Sequence, residues 1–289
     1  MSSRYCATIG FFDGVHLGHR YVIRQLELTA RMEGLSPLVV TFSNHPFEVL
    51  RGMSPKRLTT ADERYQKLTG LDCEVVEYDF RDVYQLTAKQ FITLLHNSQN
   101  VDILHLGYNQ RFGSDMPANS NDYCLIGKQA GIKVMPLEEH LIGGRKVSST
   151  IIRRLLSTGK IEEANRLLGY NYSLAGQVVQ GKHIGRTIGF PTANLSVADE
   201  KLIPADGVYS ATAVFDNTTH QALVNIGFNP TTKSAQQRTI EAHLINFNGN
   251  LYDKSVRIEL EHFIREDRTF NSLDQLKQQI ENDIKTLYH

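Results

Sequence analysis

No tryptophan, no net charge, no long apolar run and only three cysteines mark the 289-residue sequence. Cys6, Cys73 and Cys124 are odd in number, widely spaced and free of any C-x-x-C pair, which argues against a disulfide scaffold, a thiolate zinc site or a dithiol redox couple. Buried free thiols in a reducing compartment are the expectation. No stretch stays apolar for the roughly 20 residues that a bilayer-spanning helix needs, and the opening Met1-Ser-Ser-Arg-Tyr-Cys has no charged-then-apolar signal pattern. The sequence therefore reads as soluble and cytoplasmic, with no membrane partner. Its 31 Lys plus Arg balance 31 Asp plus Glu; cut at residue 170, it carries 20 basic and 18 acidic residues before the cut and 11 and 13 after, so neither part is a basic module. That argues against nucleic acid as a partner, but not against small anions held by a few local groups.

What is present changes character along the chain. Residues 5–11 read as a buried strand and residues 18–32 as a helix that carries Val22, Ile23, Leu26 and Ala30 on one face and stops at Gly34. Strands at 37–42, 73–80, 101–107 and 132–136 alternate with helices, two of them announced by the capping-box pairs Thr60/Glu63 and Thr87/Gln90, and a helix spans about 120–130. This alternation predicts an α/β domain with a Rossmann-like parallel sheet, which binds ligands beyond the carboxyl ends of its strands. After Gly169 the pattern becomes S-L-A-G-Q-V-V, G-V-Y-S-A-T-A-V-F, Q-A-L-V-N-I, T-I-E-A-H-L-I-N-F and S-V-R-I-E-L-E-H-F, punctuated by Gly, Pro and a hairpin-type Asn248-Gly249. A small antiparallel β-barrel is expected there, closed by a carboxyl-terminal helix with Leu273, Leu276, Ile280, Ile284 and Leu287 in one stripe. The expected domains are 1–170, including short linker helices at 149–168, and 171–289.

Two constellations carry chemistry. At the first strand-to-helix turn, G-F-F-D-G-V-H-L-G-H supplies Gly10, Gly14 and Gly18 for close backbone approach and free helix N–H groups for an anion. His16 and His19 can face one phosphate and stabilise charge developing in phosphoryl transfer, a reading preferred over a histidine metal pair or two ordinary surface histidines. The basic run at 143–154 places Ser148, Ser149 and Thr150 at a helix start with Arg153 one turn on, suited to the second wall of a triphosphate site. Taken alone, that run would be a solvated patch with a helix cap.

The second constellation is Gly181-Lys-His-Ile-Gly-Arg-Thr-Ile-Gly-Phe-Pro-Thr-Ala-Asn194. Amides freed by Gly185 and Gly189 can surround phosphates, Lys182 and Arg186 add charge, and Thr192 and Asn194, in a P-T-A-N turn, offer oxygens suited to Mg2+. Glu241 is the lone acid of the apolar T-I-E-A-H-L segment, either a solvated-face residue or a general base for a hydroxyl.

The strings T-I-G-F-F-D-G-V-H-L-G-H, V-V-T-F-x-x-H-P and V-S-S-T-I-I-R-R-L-L resemble the adenylyltransferase half of the bacterial bifunctional riboflavin kinase/FMN adenylyltransferase (FAD synthetase) family, within the nucleotidyltransferase superfamily. G-R-x-x-G-F-P-T-A-N, V-N-I-G-x-x-P-T, I-E-A-H and R-E-D-R-x-F resemble its kinase half, in the family's order. The resemblance implies two ATP-dependent reactions, riboflavin to FMN and FMN to FAD with release of pyrophosphate, and ATP, riboflavin and FMN as partners of a monomer or weakly self-associating chain. It implies Asp13 and Gly14 in the phosphate turn, Asn109 in the ATP site, Ser148 to Thr150 and Arg153 as a closing wall, Gly181 to Gly189 over the kinase phosphates, Thr192 and Asn194 on Mg2+, and Glu241 as base. Asn225 and Arg265 are implied on the flavin side. Phe11, Asn44 and residues 114–117 depart from the family's usual residues, and the first strand begins almost at Met1, where many relatives carry a further short strand. Two other readings are an adenylyltransferase for a different phosphate-bearing substrate with a flavin-binding barrel, and a non-catalytic flavin-nucleotide sensor.

Overall fold

The computed structural model describes residues 3–108, 110–181, 185, 188–228 and 238–287. By their contacts the residues divide into two compact units, Met1–Ser149 and Thr150–His289.

The first unit runs β1 (Tyr5–Ile9), α1 (Leu17–Glu33), β2 (Ser36–Phe42), α2 (Pro46–Arg51), α3 (Ala61–Thr69), β3 (Glu74–Tyr78), α4 (Phe80–Val83), α5 (Ala88–Gln99), β4 (Val101–Leu106), α6 (Ser120–Ala130), β5 (Lys133–Pro136) and the small hairpin β6 (Leu141–Ile142) and β7 (Arg145–Lys146). The main sheet is wholly parallel in the order β3-β2-β1-β4-β5, so the direction of winding reverses between β1 and β4. That reversal opens a crevice at the carboxyl ends of these two strands. Both faces of the sheet are covered. Ala7, Ile9, Val40 and Leu104 pack with Phe91, Ile92 and Tyr123 of α5 and α6, whereas Cys6, Val39 and Ile103 pack with Ile23, Leu26 and Ala30 of α1. This explains why β1 is apolar in nearly every position. Both predicted capping boxes form, at Thr60/Glu63 and Thr87/Gln90, and Gly34 ends α1 at φ 67°.

The second unit holds α7 (Ser149–Ser157), whose first residue belongs to the preceding unit, then α8 (Ile161–Leu168), β8 (Ser173–Val179), β9 (Ala193–Val197), β10 (Gly207–Phe215), β11 (Thr218–Phe228), β12 (Arg238–Leu244), β13 (Ser255–Arg265) and α9 (Leu273–Thr286). Six antiparallel strands close a barrel in the order β10-β11-β12-β9-β8-β13. The helices expected as linkers lie on this barrel: Asn165 donates to Leu260 O at 2.9 Å and accepts from Tyr172 N at 2.8 Å, and Ala205 N donates to Leu156 O at 2.9 Å.

Two local expectations are corrected. Asn248-Gly249 is not a hairpin turn, because β12 pairs with β11 and β9 while β13 pairs with β10 and β8. In the barrel a two-residue hairpin is made instead by Asp216-Asn217, with φ 47° and 58°, between β10 and β11, which suits a type I′ turn. Ala193 and Asn194 open strand β9 instead of finishing a turn.

Candidate active sites

In the first unit, the turn after β1 is backbone-strained. Phe12, Gly14 and Val15 have φ of 55°, 84° and 37°, the last unusual for a β-branched residue. What holds the turn is burial of Phe12 and Val15 against α1 together with Asp13. The Asp13 carboxylate, 3% exposed, accepts from Leu58 N at 3.0 Å, Thr59 N at 3.1 Å and Thr59 Oγ1 at 3.1 Å, and Gly14 N donates to Thr59 Oγ1 at 3.0 Å. Asp13 therefore ties the turn to residues 58–59.

His16 caps α1, its Nδ1 accepting from His19 N at 3.3 Å, so in the neutral ring the proton is on Nε2. Its ring stacks on His19 at 3.6 Å with 17° between planes. Burial pushes the His19 pKa down to about 3. The motif thus presents neutral imidazoles at a helix N-terminus. A Cβ on Gly18 would lie 3.2 Å from the His16 ring, which accounts for the glycine between the histidines. Gly10 continues the sheet by donating to Val40 O at 3.0 Å. Ser149 Oγ donates to Asp13 O at 2.9 Å, joining the start of α7 to the same turn; Ser148 precedes it, and Thr150 and Arg153 lie on α7 in the second unit. Asn109 lies outside the described residues.

The departures from the family pattern have local structural roles. Phe11 meets the edge of His45 at 4.6 Å and lies under the buried Arg64 guanidinium at 4.1 Å. Asn44 Oδ1 accepts from Phe80 N at 3.2 Å, and Ser114 and Asp115 bond Gln85 O and Ala88 N. Sequence reasoning missed His105 on β4, 2% exposed, whose two ring nitrogens have no hydrogen-bond partner among the described residues and whose pKa burial lowers.

In the second unit, strand register assembles the site. Asn225 of β11, Glu241 of β12 and Asn194 of β9 are directly opposite one another across three adjacent strands, and so share one face. Their neighbours Ile240, Ala242 and Leu244 alternate into the buried interior, which leaves the polar row on the outer wall. Thr192 Oγ1 lies 3.3 Å from Glu241 Oε2. A Cβ on Gly185 would strike Phe190 O at 2.2 Å, so that glycine is sterically required, and one on Gly181 would displace the Asn194 side chain, 2.1 Å away. Gly189 has φ 90°. Lys182 and Arg186 lie outside the described residues. His243 Nδ1 bonds Pro191 O at 2.8 Å and fixes the segment that carries Thr192.

Glu241, Asn225 and Thr192 open on a cavity of about 650 Å³ whose far wall comprises Leu273, Leu276 and Ile280 of α9 with Phe228 and Phe270. Three residues of the predicted α9 stripe, Leu273, Leu276 and Ile280, therefore line this cavity. Arg265, implied on the flavin side, forms a bidentate pair with Asp283, Nη2 to Oδ2 at 2.8 Å. A second cavity of about 360 Å³, bounded by Pro191, Thr192, Phe247 and Tyr252, shares Thr192 with the lining of the first. The 247–252 loop was missed because its residues read only as a turn. Thr192 Oγ1 beside the Glu241 carboxylate, with Asn194 the register partner of Glu241, is a set of hard oxygen donors that suits Mg2+ but is too small to enclose it.

Comparison with known proteins agrees with both units. Residues 1–151 match the FAD synthetase family model and residues 168–289 the riboflavin kinase model. The chain is 34% identical to the bifunctional riboflavin kinase/FMN adenylyltransferase of Listeria monocytogenes, covering 95% of this chain and 88% of that protein. It is 37% identical to the Bacillus subtilis protein of the same name, covering 95% and 89%. A crystal structure described as a macrolide-efflux protein from Streptococcus pneumoniae superposes with TM-score 0.90 at 30% identity, covering 99% of this chain and 94% of that one. Among the described residues no helix is long and apolar enough to cross a membrane. Matched over both units and in the same order, the chain belongs to the bifunctional riboflavin kinase/FMN adenylyltransferase family, whose two enzymatic domains serve FMN and FAD biosynthesis.

Proposed function

We propose that the row Asn225, Glu241, Asn194, with Thr192 bonded to Glu241, is the riboflavin kinase centre, and that the His16/His19 turn is the adenylyl-transfer centre. The Glu241–Thr192 pair, whose Thr192 lines both cavities, carries the kinase reading. The larger, partly apolar cavity suits the flavin and the smaller one the adenosine of ATP, so that the γ-phosphate meets the ribityl hydroxyl beside Thr192. Glu241 accepts the proton of the 5′-hydroxyl as its oxygen bonds the γ-phosphorus and the bond to ADP breaks. Thr192 and Asn194 would hold Mg2+, which supplies charge neutralisation on the phosphates. Asn225 faces the ribityl side, Gly181 to Gly189 with Lys182 and Arg186 cover the phosphates, and Arg265 acts on the flavin through α9.

At the first centre, the Nε2–H of His16 and the amides of α1 stabilise the charge of ATP as an FMN phosphate oxygen bonds the α-phosphorus and pyrophosphate leaves. Gly10, Gly14 and Gly18 allow the close approach, Asp13 holds the turn, and Asn109, Ser148 and Ser149 complete the ATP site. The division of labour falls at about residue 170, and the chain acts in the cytoplasm as a monomer or weak self-associate. Purified protein with riboflavin, ATP and Mg2+ should form FMN and then FAD on chromatography. Glu241→Gln should slow FMN formation by about 10²–10⁴ and spare FMN-to-FAD conversion, whereas His16→Ala should do the reverse by about 10²–10³. Loss of both reactions in either folded variant would refute the separate centres.

A further inference from the structure

Helix α9 is held against the barrel in an unusual way. Asp283 is its only buried residue, while Leu273 is 54% exposed and Leu276, Ile280 and Ile284 are only half-buried. An isolated helix of this length is marginal in water and normally depends on its packed face for stability. Here Leu273, Leu276 and Ile280 face the cavity opposite Glu241, and Asp283 continues the same face. A carboxylate in the last turn also opposes the helix dipole. Its position is set instead by Arg265 at the end of β13, whose Nε lies 3.1 and 3.0 Å from the two carboxylate oxygens and whose Nη2 lies 2.8 Å from Oδ2. Gln279, one turn earlier, donates to Asp283 Oδ1 at 2.6 Å. Arg265 is fixed from its other side by Glu266 O at 3.0 Å and lies 5.8 Å from the Phe270 ring, itself part of the cavity wall.

We propose that the Arg265–Asp283 ion pair is a positioning latch for riboflavin: it keeps α9 docked so that the apolar stripe is in place to receive the flavin ring. The proposal rests on the reading that riboflavin occupies the cavity facing Glu241. Without the pair, the docked helix is a minority conformation, and the apparent affinity falls by the docked fraction. Bound flavin covers Leu273, Leu276 and Ile280 and so redocks the helix, which leaves the saturated enzyme with its normal geometry at Glu241. The latch therefore acts on riboflavin KM and not on kcat.

The experiment is kinase kinetics of the full chain beside segment-resolved hydrogen exchange with and without riboflavin plus ADP. Asp283→Asn, with a docked fraction of about one tenth, should raise riboflavin KM about tenfold, keep kcat within about twofold, and leave ATP KM and FMN adenylylation unchanged. Amides of α9 should lose protection in the free variant and regain it at saturating riboflavin, and Asp283→Glu should restore most of the affinity. A drop in kcat at unchanged KM, or α9 protection equal to wild type, would overturn the latch. Should Asp283→Asn lose barrel protection as well, Arg265→Lys, which keeps the charge but not the fork, carries the test with a smaller rise in KM. If riboflavin protects neither α9 nor β12 in the wild type, the assignment of the cavity itself fails; if β12 is protected but the variants bind normally, only the latch fails.

Discussion

Asp13 separates a structural from a chemical reading of the first centre. Its buried carboxylate bonds three donors, Leu58 N, Thr59 N and Thr59 Oγ1, at 3.0–3.1 Å. Each backbone donor stranded in a dry site costs about 1–3 kcal/mol. Asp13→Ala, which strands both amides, should therefore destabilise the first unit by about 2–4 kcal/mol, with some relief if water enters. Asp13→Asn keeps one acceptor oxygen and should cost about half as much. Two units need not unfold as one, so the measurement is hydrogen exchange resolved over β1, α1 and residues 57–60, with riboflavin phosphorylation as an internal control. Adenylyl transfer by Asp13→Asn should stay within about tenfold of wild type, because the turn survives. If that variant keeps full protection yet loses transfer by about 10² or more, Asp13 acts on the reacting atoms and the tether account is refuted.

Two further outcomes follow from buried histidines. The His19 pKa falls from 6.5 to about 3 on folding, so between those values the unfolded chain binds the extra proton and the folded chain does not. Stability of the first unit should thus decline as pH falls from about 6.5 towards 3, and His19→Gln should flatten the decline in denaturation midpoints; an unchanged slope would count against it. His105 strands two ring nitrogens in a strand, so His105→Val should stabilise the first unit by about 1 kcal/mol in the same exchange experiment, and destabilisation would mean that the imidazole has a partner in solution.

The legible parts of the sequence were those in which local chemistry decides structure. Thr60/Glu63, Thr87/Gln90 and Gly34 set helix ends through hydrogen bonds within one turn, and the alternation of β8, β10 and β13 was enough to locate strands. Glu241 stood out as one acid in an apolar strand, but its row with Asn194 and Asn225 depends on register across three strands and has no local signature. Strand β9 was hidden because its first residues belong to the P-T-A-N string. The tether that Asp13 makes was hidden for a related reason: its partners are 45 and 46 residues away. The α9 stripe had the right spacing, but spacing cannot distinguish a helix facing core from one facing a cavity.

The two proposed centres also differ as their proposed nucleophiles would require. A ribityl hydroxyl is neutral near pH 7 and needs a base, and the second unit sets Glu241 beside Thr192. An FMN phosphate has already lost its second proton above about pH 6, so its attack on the α-phosphorus needs charge stabilisation but no base. In the first unit the acid of the motif is engaged by Leu58 and Thr59, and His16 and His19 form a close stack that would be repulsive as two cations. Adenylyl transfer at limiting FMN should consequently fall below about pH 6 with the protonation of FMN itself. The inflection should stay in place in a His19→Gln variant, even though the rate drops. A pH profile whose inflection shifts or disappears with that substitution would make the histidine a base and would contradict a site built on neutral donors.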